Sequence, residues 1–153
     1  MLHIIFYQPR IAGNTGAAIR LAACTGATLH VIEPTVFSFE DTKLRRAGLD
    51  YHDLAHLERH PNLDHCLAAL PGHLYAFTGH TDTLYHQVSY LDGDALMFGP
   101  EDTGLPEDVM SDPRVTEKLR IPMLPGRRSL NLAVSAAIAT YHAWGQLNFQ
   151  GGC

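Results

Sequence analysis

The stretch Ile121-Pro122-Met123-Leu124-Pro125-Gly126-Arg127-Arg128-Ser129-Leu130-Asn131-Leu132 decides how this chain reads. A strand-like run, Lys118 to Ile121, ends in it, and a long helix of small residues, Ser129 to Gly145, starts from it. Between the two stand two prolines, a glycine and two arginines. Pro122 and Pro125 fix φ and remove amide donors, so the connection is stiff and leaves carbonyls free. A helix start beside two arginines offers a place for an anion or a polar ligand. A plain link from strand to helix needs neither feature.

Two further segments have the same character. Leu96-Met97-Phe98-Gly99-Pro100-Glu101-Asp102-Thr103-Gly104-Leu105-Pro106 leaves a strand and turns through Gly-Pro, with a carboxylate at the strand's exit. Asn14-Thr15-Gly16-Ala17-Ala18-Ile19-Arg20 opens a helix, with Asn14 or Thr15 as the expected cap and Arg20 about two turns in. Around these segments strands alternate with helices. Strands are predicted at 2–7, 28–32, 74–78, 95–98 and 118–121. Helices are predicted at 14–24, 61–70 and 129–145, and a short helix or turn at 105–110. A short helix follows the variant capping box Ser38-Phe39-Glu40-Asp41, runs to Ala47 and stops at Gly48. Residues 51–57 are ambiguous, a short strand being one reading. The alternation implies an α/β fold with a mainly parallel sheet, as one domain over 1–153 with no internal repeat or linker.

Composition narrows the function. The chain of 153 residues is 46% hydrophobic, which suits a compact core. No run approaches the ~20 apolar residues of a membrane span, and the N-terminus enters a strand without a basic leader, so a cytoplasmic protein is expected. Net charge is −5, which argues against a generally basic nucleic-acid binder. The distribution says more: all eleven basic residues lie in 10–59 or 114–128, while 60–113 holds nine acidic ones. A fold that joins the two basic segments makes a local basic face; alternatively Lys43, Arg45 and Arg46 are a solvated helix face. Cys24, Cys66 and Cys153 lack metal or disulfide spacing and read as incidental thiols. Among the ten histidines, His52, His56 and His60 are four apart, but Pro61 follows and no Cys or carboxylate completes a set. They read as solvated, and no metal is expected.

Three strand ends carry the suggestive residues: Phe77-Thr78-Gly79, Gly99-Pro100-Glu101 and Ile121-Pro122-Met123. Ligands of open α/β sheets bind at such ends, and these loops suit an adenosine held by main-chain bonds and apolar walls. There is no G-x-G-x-x-G and no phosphate-loop motif, so ordinary dinucleotide or ATP sites are not signalled.

Taken together and in this order, the three segments resemble the motifs of the SPOUT class of RNA methyltransferases. They are most similar to the small enzymes that 2′-O-methylate the wobble nucleotide of tRNA, and the resemblance runs from about Met1 to Trp144. It implies a mainly parallel sheet with helices on both faces and a deep C-terminal trefoil knot. It implies S-adenosylmethionine held by Phe77, Thr78, Gly79, Gly99, Glu101, Gly104, Ile121, Met123, Ser129 and Leu130. It implies catalytic roles for Arg20, Ser129, Asn131 and Asn14, and tRNA contacts from Arg10, Lys43, Arg45, Arg46, Arg127 and Arg128. A tRNA anticodon stem-loop as substrate and a homodimer, with the final helix and Tyr141 at the subunit contact, are implied as well. Arg20 as a simple general base conflicts with a guanidinium's pKa above ~12 and its lack of a lone pair; binding phosphate and steadying a developing alkoxide suits it better. The chain departs from these relatives at Ser129-Leu130-Asn131-Leu132-Ala133-Val134, where they read Ser-x-Asn-Leu-Ser-Asn. Rival readings are methylation of another RNA site, a knotted RNA- or adenosine-binding protein without catalysis, and a flavodoxin-type nucleotide-binding module.

Overall fold

The computed structural model of the chain describes residues 1–40, 42–45 and 49–153. Six strands, β1 (His3–Tyr7), β2 (Thr28–Ile32), β3 (Leu57–His60), β4 (Leu74–Phe77), β5 (Ala95–Phe98) and β6 (Glu117–Leu119), form one sheet in the order β3-β2-β1-β5-β4-β6. Every pairing is parallel. The central strands are apolar on both faces, as a sheet covered on both sides requires.

The period of two divides the core. Ile4, Phe6, Leu29, Val31, Tyr75, Phe77, Leu96 and Phe98 face α1 (Ala12–Thr25) and α6 (Leu132–Gln146). Ile5, Ile32, Leu74, Ala76 and Met97 face the other way, toward α4 (Leu63–Leu67) and α5 (Glu107–Met110). Each fully buried Ile, Leu or Phe contributes ~1.5–3 kcal/mol relative to exposure, so these two layers are what hold the sheet. Two further short helices, α2 (Thr42–Arg45) and α3 (Tyr51–Leu54), pack beside α1.

Several expected boundaries move for physical reasons. Helix α1 begins at Ala12, with Ile11 at the cap position and no side-chain cap; neither Asn14 nor Thr15 caps it, because both lie inside its first turn and are buried. Helix α6 is capped by Asn131, whose Oδ1 accepts from Val134 N at 3.1 Å, so the helix starts after Asn131 rather than at Ser129. In α4 the cap is Asn62, one residue after Pro61, and accepts from His65 N. The ambiguous region 51–57 is helix α3 followed by β3, not a strand from Tyr51. Ser38 Oγ accepts from Glu40 N, which is a local turn; Asp41, Arg46, Ala47 and Gly48 lie outside the described residues. Gly26 ends α1 in the left-handed conformation expected of it. The three histidines read as one solvated row are separated. His52 is exposed, His56 bonds to Ala27 O at 3.1 Å, and His60 is buried.

Candidate active site

Beyond the C-terminal ends of β4, β5 and β6 lies a cleft of about 350 Å³. β4 delivers Phe77-Thr78-Gly79, β5 delivers Phe98-Gly99-Pro100-Glu101, and β6 delivers Arg120 and Ile121. Met123, Ser129 and Leu130 close it from the segment that leads to α6. The Phe77 and Phe98 rings are stacked at 4.6 Å between centroids, giving an apolar wall rooted in the core. Every residue expected to touch the cofactor lines this cleft.

The loop after β5 is folded tightly on itself. A Cβ on Gly99 would stand 2.1 Å from Leu105 N, so no other residue fits there. Gly104 takes φ +69°, a conformation suited to glycine, and its N–H donates to Pro100 O at 2.9 Å. Glu101 follows and clamps a distant element. Its Oε1 accepts from Arg10 N at 2.8 Å; its Oε2 accepts from Ile11 N at 2.8 Å and from Asn14 Nδ2 at 3.2 Å. The carboxylate therefore replaces the missing side-chain cap of α1 and lies at the positive end of that helix. A turn carboxylate serving only its own loop would bond neighbouring amides; this one reaches across 90 residues.

Asn14 Oδ1 accepts in turn from Asn131 Nδ2 at 3.0 Å. Three sequence-predicted residues, Asn14, Glu101 and Asn131, thus form one hydrogen-bonded line joining the start of α1, the β5 loop and the start of α6. Ser129 lines the cleft directly, whereas neither Asn14 nor Asn131 does. Arg20 is placed elsewhere. Its Nη2 is 3.1 Å from Asp53 Oδ2, and it is not among the residues lining the cleft. Asp53 is itself fixed by a reciprocal pair with Asp50: each backbone N–H donates to the other's carboxylate at 3.0 Å.

Of the residues expected to touch RNA, Arg10 is exposed with Nε 3.1 Å from Asp102 Oδ1, and Arg127 and Arg128 are exposed beside the cleft segment. The side chains of Lys43 and Arg45, like Arg46, fall outside what the structure describes. Sequence reasoning missed Arg120. It lines the cleft, and its Nε is buried without a hydrogen-bond partner. An orphan charged donor is costly unless something accepts from it, so a ligand carboxylate or carbonyl fits there. Its position one residue before Ile121 was the only available signal.

The geometry can now be set beside known proteins. The model of the SpoU rRNA methylase family matches residues 1–141. The chain belongs to the SpoU rRNA methylase family. Within that family it is 45% identical over 152 residues to a tRNA (cytidine(34)-2'-O)-methyltransferase of Methylovorus glucosotrophus, covering 99% of both chains. A solved structure concerned with the 2-OH methylation of C/U34 on tRNA superposes with a TM-score of 0.88 at 42% identity, over 97% of this chain and 91% of that one. The SpoU methyltransferase AviRb from Streptomyces viridochromogenes, solved with the cofactor AdoMet, superposes with a TM-score of 0.84 at 25% identity, over 97% of this chain and 61% of that one. The cleft of this SpoU-family chain fits such a cofactor on its own features: the loops of three strand ends around it, a wall of stacked rings and the unsatisfied Arg120 donor.

Proposed function

We propose that this chain is an S-adenosylmethionine-dependent methyltransferase that acts on the 2′-hydroxyl of the wobble ribose, position 34, of tRNA, at cytidine or a 5-substituted uridine. The observation that carries the reading is the cleft built by three strand ends, with Asn14, Glu101 and Asn131 tying α1 and α6 to its rim. The similarity to tRNA (cytidine(34)-2'-O)-methyltransferases over the full chain supports the same substrate.

When bound, the cofactor supplies an electrophilic methyl group on a sulfonium. The chain's residues do the rest by placement. The loops 77–79, 99–104 and 121–123 and Ser129 hold the cofactor, and Arg120 donates to its carboxylate. Glu101, through the Arg10 and Ile11 amides, fixes the start of α1 relative to the cofactor loop. Arg20 binds the phosphate beside the target ribose and steadies negative charge growing on its oxygen. Asp53 is buried and holds the Arg20 guanidinium at 3.1 Å, while Arg20 itself stays half exposed, open to a phosphate from solvent. Arg10, Arg127 and Arg128, with Lys43, Arg45 and Arg46, grip the anticodon stem-loop. The Ala133-Val134 departure leaves cofactor binding intact: Asn131 still caps Val134 N, and the Val134 side chain is 48% exposed, on the outside of α6.

That outer face of α6, with Val134 and Tyr141 (44% exposed), is the contact of a homodimer whose active site includes Arg20 near the interface. The chain acts as one knotted catalytic domain in the cytoplasm. Among the described residues no helix is long and apolar enough to cross a membrane.

The test uses labelled S-adenosylmethionine and two tRNAs that differ only at nucleotide 34, one with cytidine and one with 2′-deoxycytidine. Label is expected in the first and not in the second. Equal labelling of both would overturn the assignment to the 2′-oxygen of position 34.

A further inference from the structure

At the opposite end of the sheet four histidines form one chain. His3 Nδ1 lies 2.9 Å from His30 Nε2, His30 Nδ1 lies 2.8 Å from His60 Nε2, and His60 Nδ1 lies 2.8 Å from His65 Nδ1. They come from β1, β2, β3 and α4. His30 and His60 are 2% and 4% exposed, and Cys66 of α4 is fully buried beside them. One donor atom from each of His30, His60 and Cys66 lies within 4.8 Å of the others. At the mouth stands Glu58, on the same face of β3 as His60, with Oε2 3.5 Å from His30 Nδ1 and 3.9 Å from His60 Nε2.

The outer contacts of this chain orient the inner two rings. If His30 gives its Nε2–H to His3 and His60 gives its Nδ1–H to His65, then His30 Nδ1 and His60 Nε2 face each other as lone pairs. Metal-bound imidazoles are held in this way by acceptors on their far nitrogens. In that tautomer the two lone pairs and the Cys66 sulfur face one another as the donors of a metal site do.

We propose that His30, His60 and Cys66, completed by Glu58, bind one zinc-type divalent transition-metal ion that fastens α4 and the edge strand β3 to the sheet. Two imidazoles, a thiolate and a carboxylate are a donor set suited to such an ion. With bonds of about 2.0–2.1 Å to nitrogen and oxygen, tetrahedral geometry puts those donors roughly 3.3–3.4 Å apart. The observed 2.8, 3.5 and 3.9 Å separations bracket that value, and the Cys66 sulfur lies within 4.8 Å of both ring donors. On binding, the Cys66 thiol releases its proton to solvent, His30 keeps its own proton on Nε2 toward His3, and the 2.8 Å contact of His30 Nδ1 with His60 Nε2 opens to two metal–nitrogen bonds. The thiolate and carboxylate balance the ion's two charges, which leaves a neutral buried site. No spacing in the sequence announced it, because the ligands come from three separate elements. The site is independent of the cleft and does not rest on the function proposed above.

The experiment takes the full chain, stripped with chelator, and titrates it with cobalt(II) and then zinc(II). Expected are one cobalt per chain, the intense visible bands of tetrahedral cobalt with a thiolate charge-transfer band, displacement by zinc, and a higher melting temperature with zinc. Cys66→Ser should remove the charge-transfer band. Glu58→Gln, at an exposed position where folding is safe, should weaken binding at least about tenfold, with an unchanged circular dichroism spectrum. No tetrahedral spectrum at micromolar cobalt, or a spectrum unaltered in both variants, would overturn the proposal.

Discussion

The two ends of the sheet gather polar groups in opposite ways. At the β4–β6 end the cleft is open, built largely of main chain and glycine turns, and its side-chain network joins loops that lead into α1 and α6. At the β3 end the groups are side chains: His30, His60 and Cys66 are buried, and His3 and His65 reach them from the surface side. The first arrangement leaves a cleft of about 350 Å³, room for a ligand the size of a nucleoside. The second brings the donor atoms of His30, His60 and Cys66 within 4.8 Å of one another. A parallel sheet supplies both, because its strand ends bring distant residues together wherever the chain turns.

If the division is real, changes at the cleft end should strike methyl transfer and those at the histidine end should strike stability. The largest expected effect is Arg20→Ala, lowering kcat/KM on tRNA by about 10²–10³-fold, the cost of one transition-state donor, with cofactor affinity unchanged by calorimetry. Unaltered turnover would remove Arg20 from the mechanism. Next is Gly99→Ala. A Cβ 2.1 Å from Leu105 N forces the loop open, so cofactor binding should vanish and stability fall by about 1–3 kcal/mol in denaturant titration.

The histidine end should respond to acid. An ordinary histidine takes up its proton near 6.5, but His30 is held down to about 3, first by burial and then by its neighbours His3 and His60. His3 and His60 are also lowered, chiefly by burial. Above about pH 6.5 both folded and unfolded chains carry these groups neutral, and their full contribution to stability is present. As pH falls below that, the unfolded chain binds protons that the folded one refuses, so stability declines toward pH 3. Denaturant midpoints across this range, in chelator so that metal plays no part, should fall, whereas methyl transfer by Cys66→Ser at neutral pH should not change. A flat profile would contradict the buried neutral chain. The smallest effect is Asn131→Ala, about 1 kcal/mol for a lost helix cap, with a further loss of turnover because Asn14 loses a partner. If turnover holds, the Asn14–Asn131 bond is structural only.

The contrast also explains what the sequence could disclose. The alternation of elements made the sheet legible, and β2 and β5 fall where the apolar runs put them. Two of the loops that line the cleft were legible as local motifs, Gly-Pro after β5 and Pro-Gly before α6. Glu101's partners were not, since a carboxylate capping a helix 90 residues away has no sequence pattern. The same holds for Asn131 displacing Ser129 as the cap, which depends on the path of the backbone. The histidine chain was misread because spacing within 52–60 was weighed, whereas the partners of His60 are His30 and His65.

The central claim is that the cleft transfers a methyl group to the ribose of nucleotide 34. The most direct measurement is mass-spectrometric nucleoside mapping of unmodified total tRNA after incubation with the protein and labelled S-adenosylmethionine, with Arg20→Ala in parallel. The account predicts a 2′-O-methyl group at position 34 with the natural chain and none with the variant. A methyl on a base, at another nucleotide, or undiminished in the variant would contradict it.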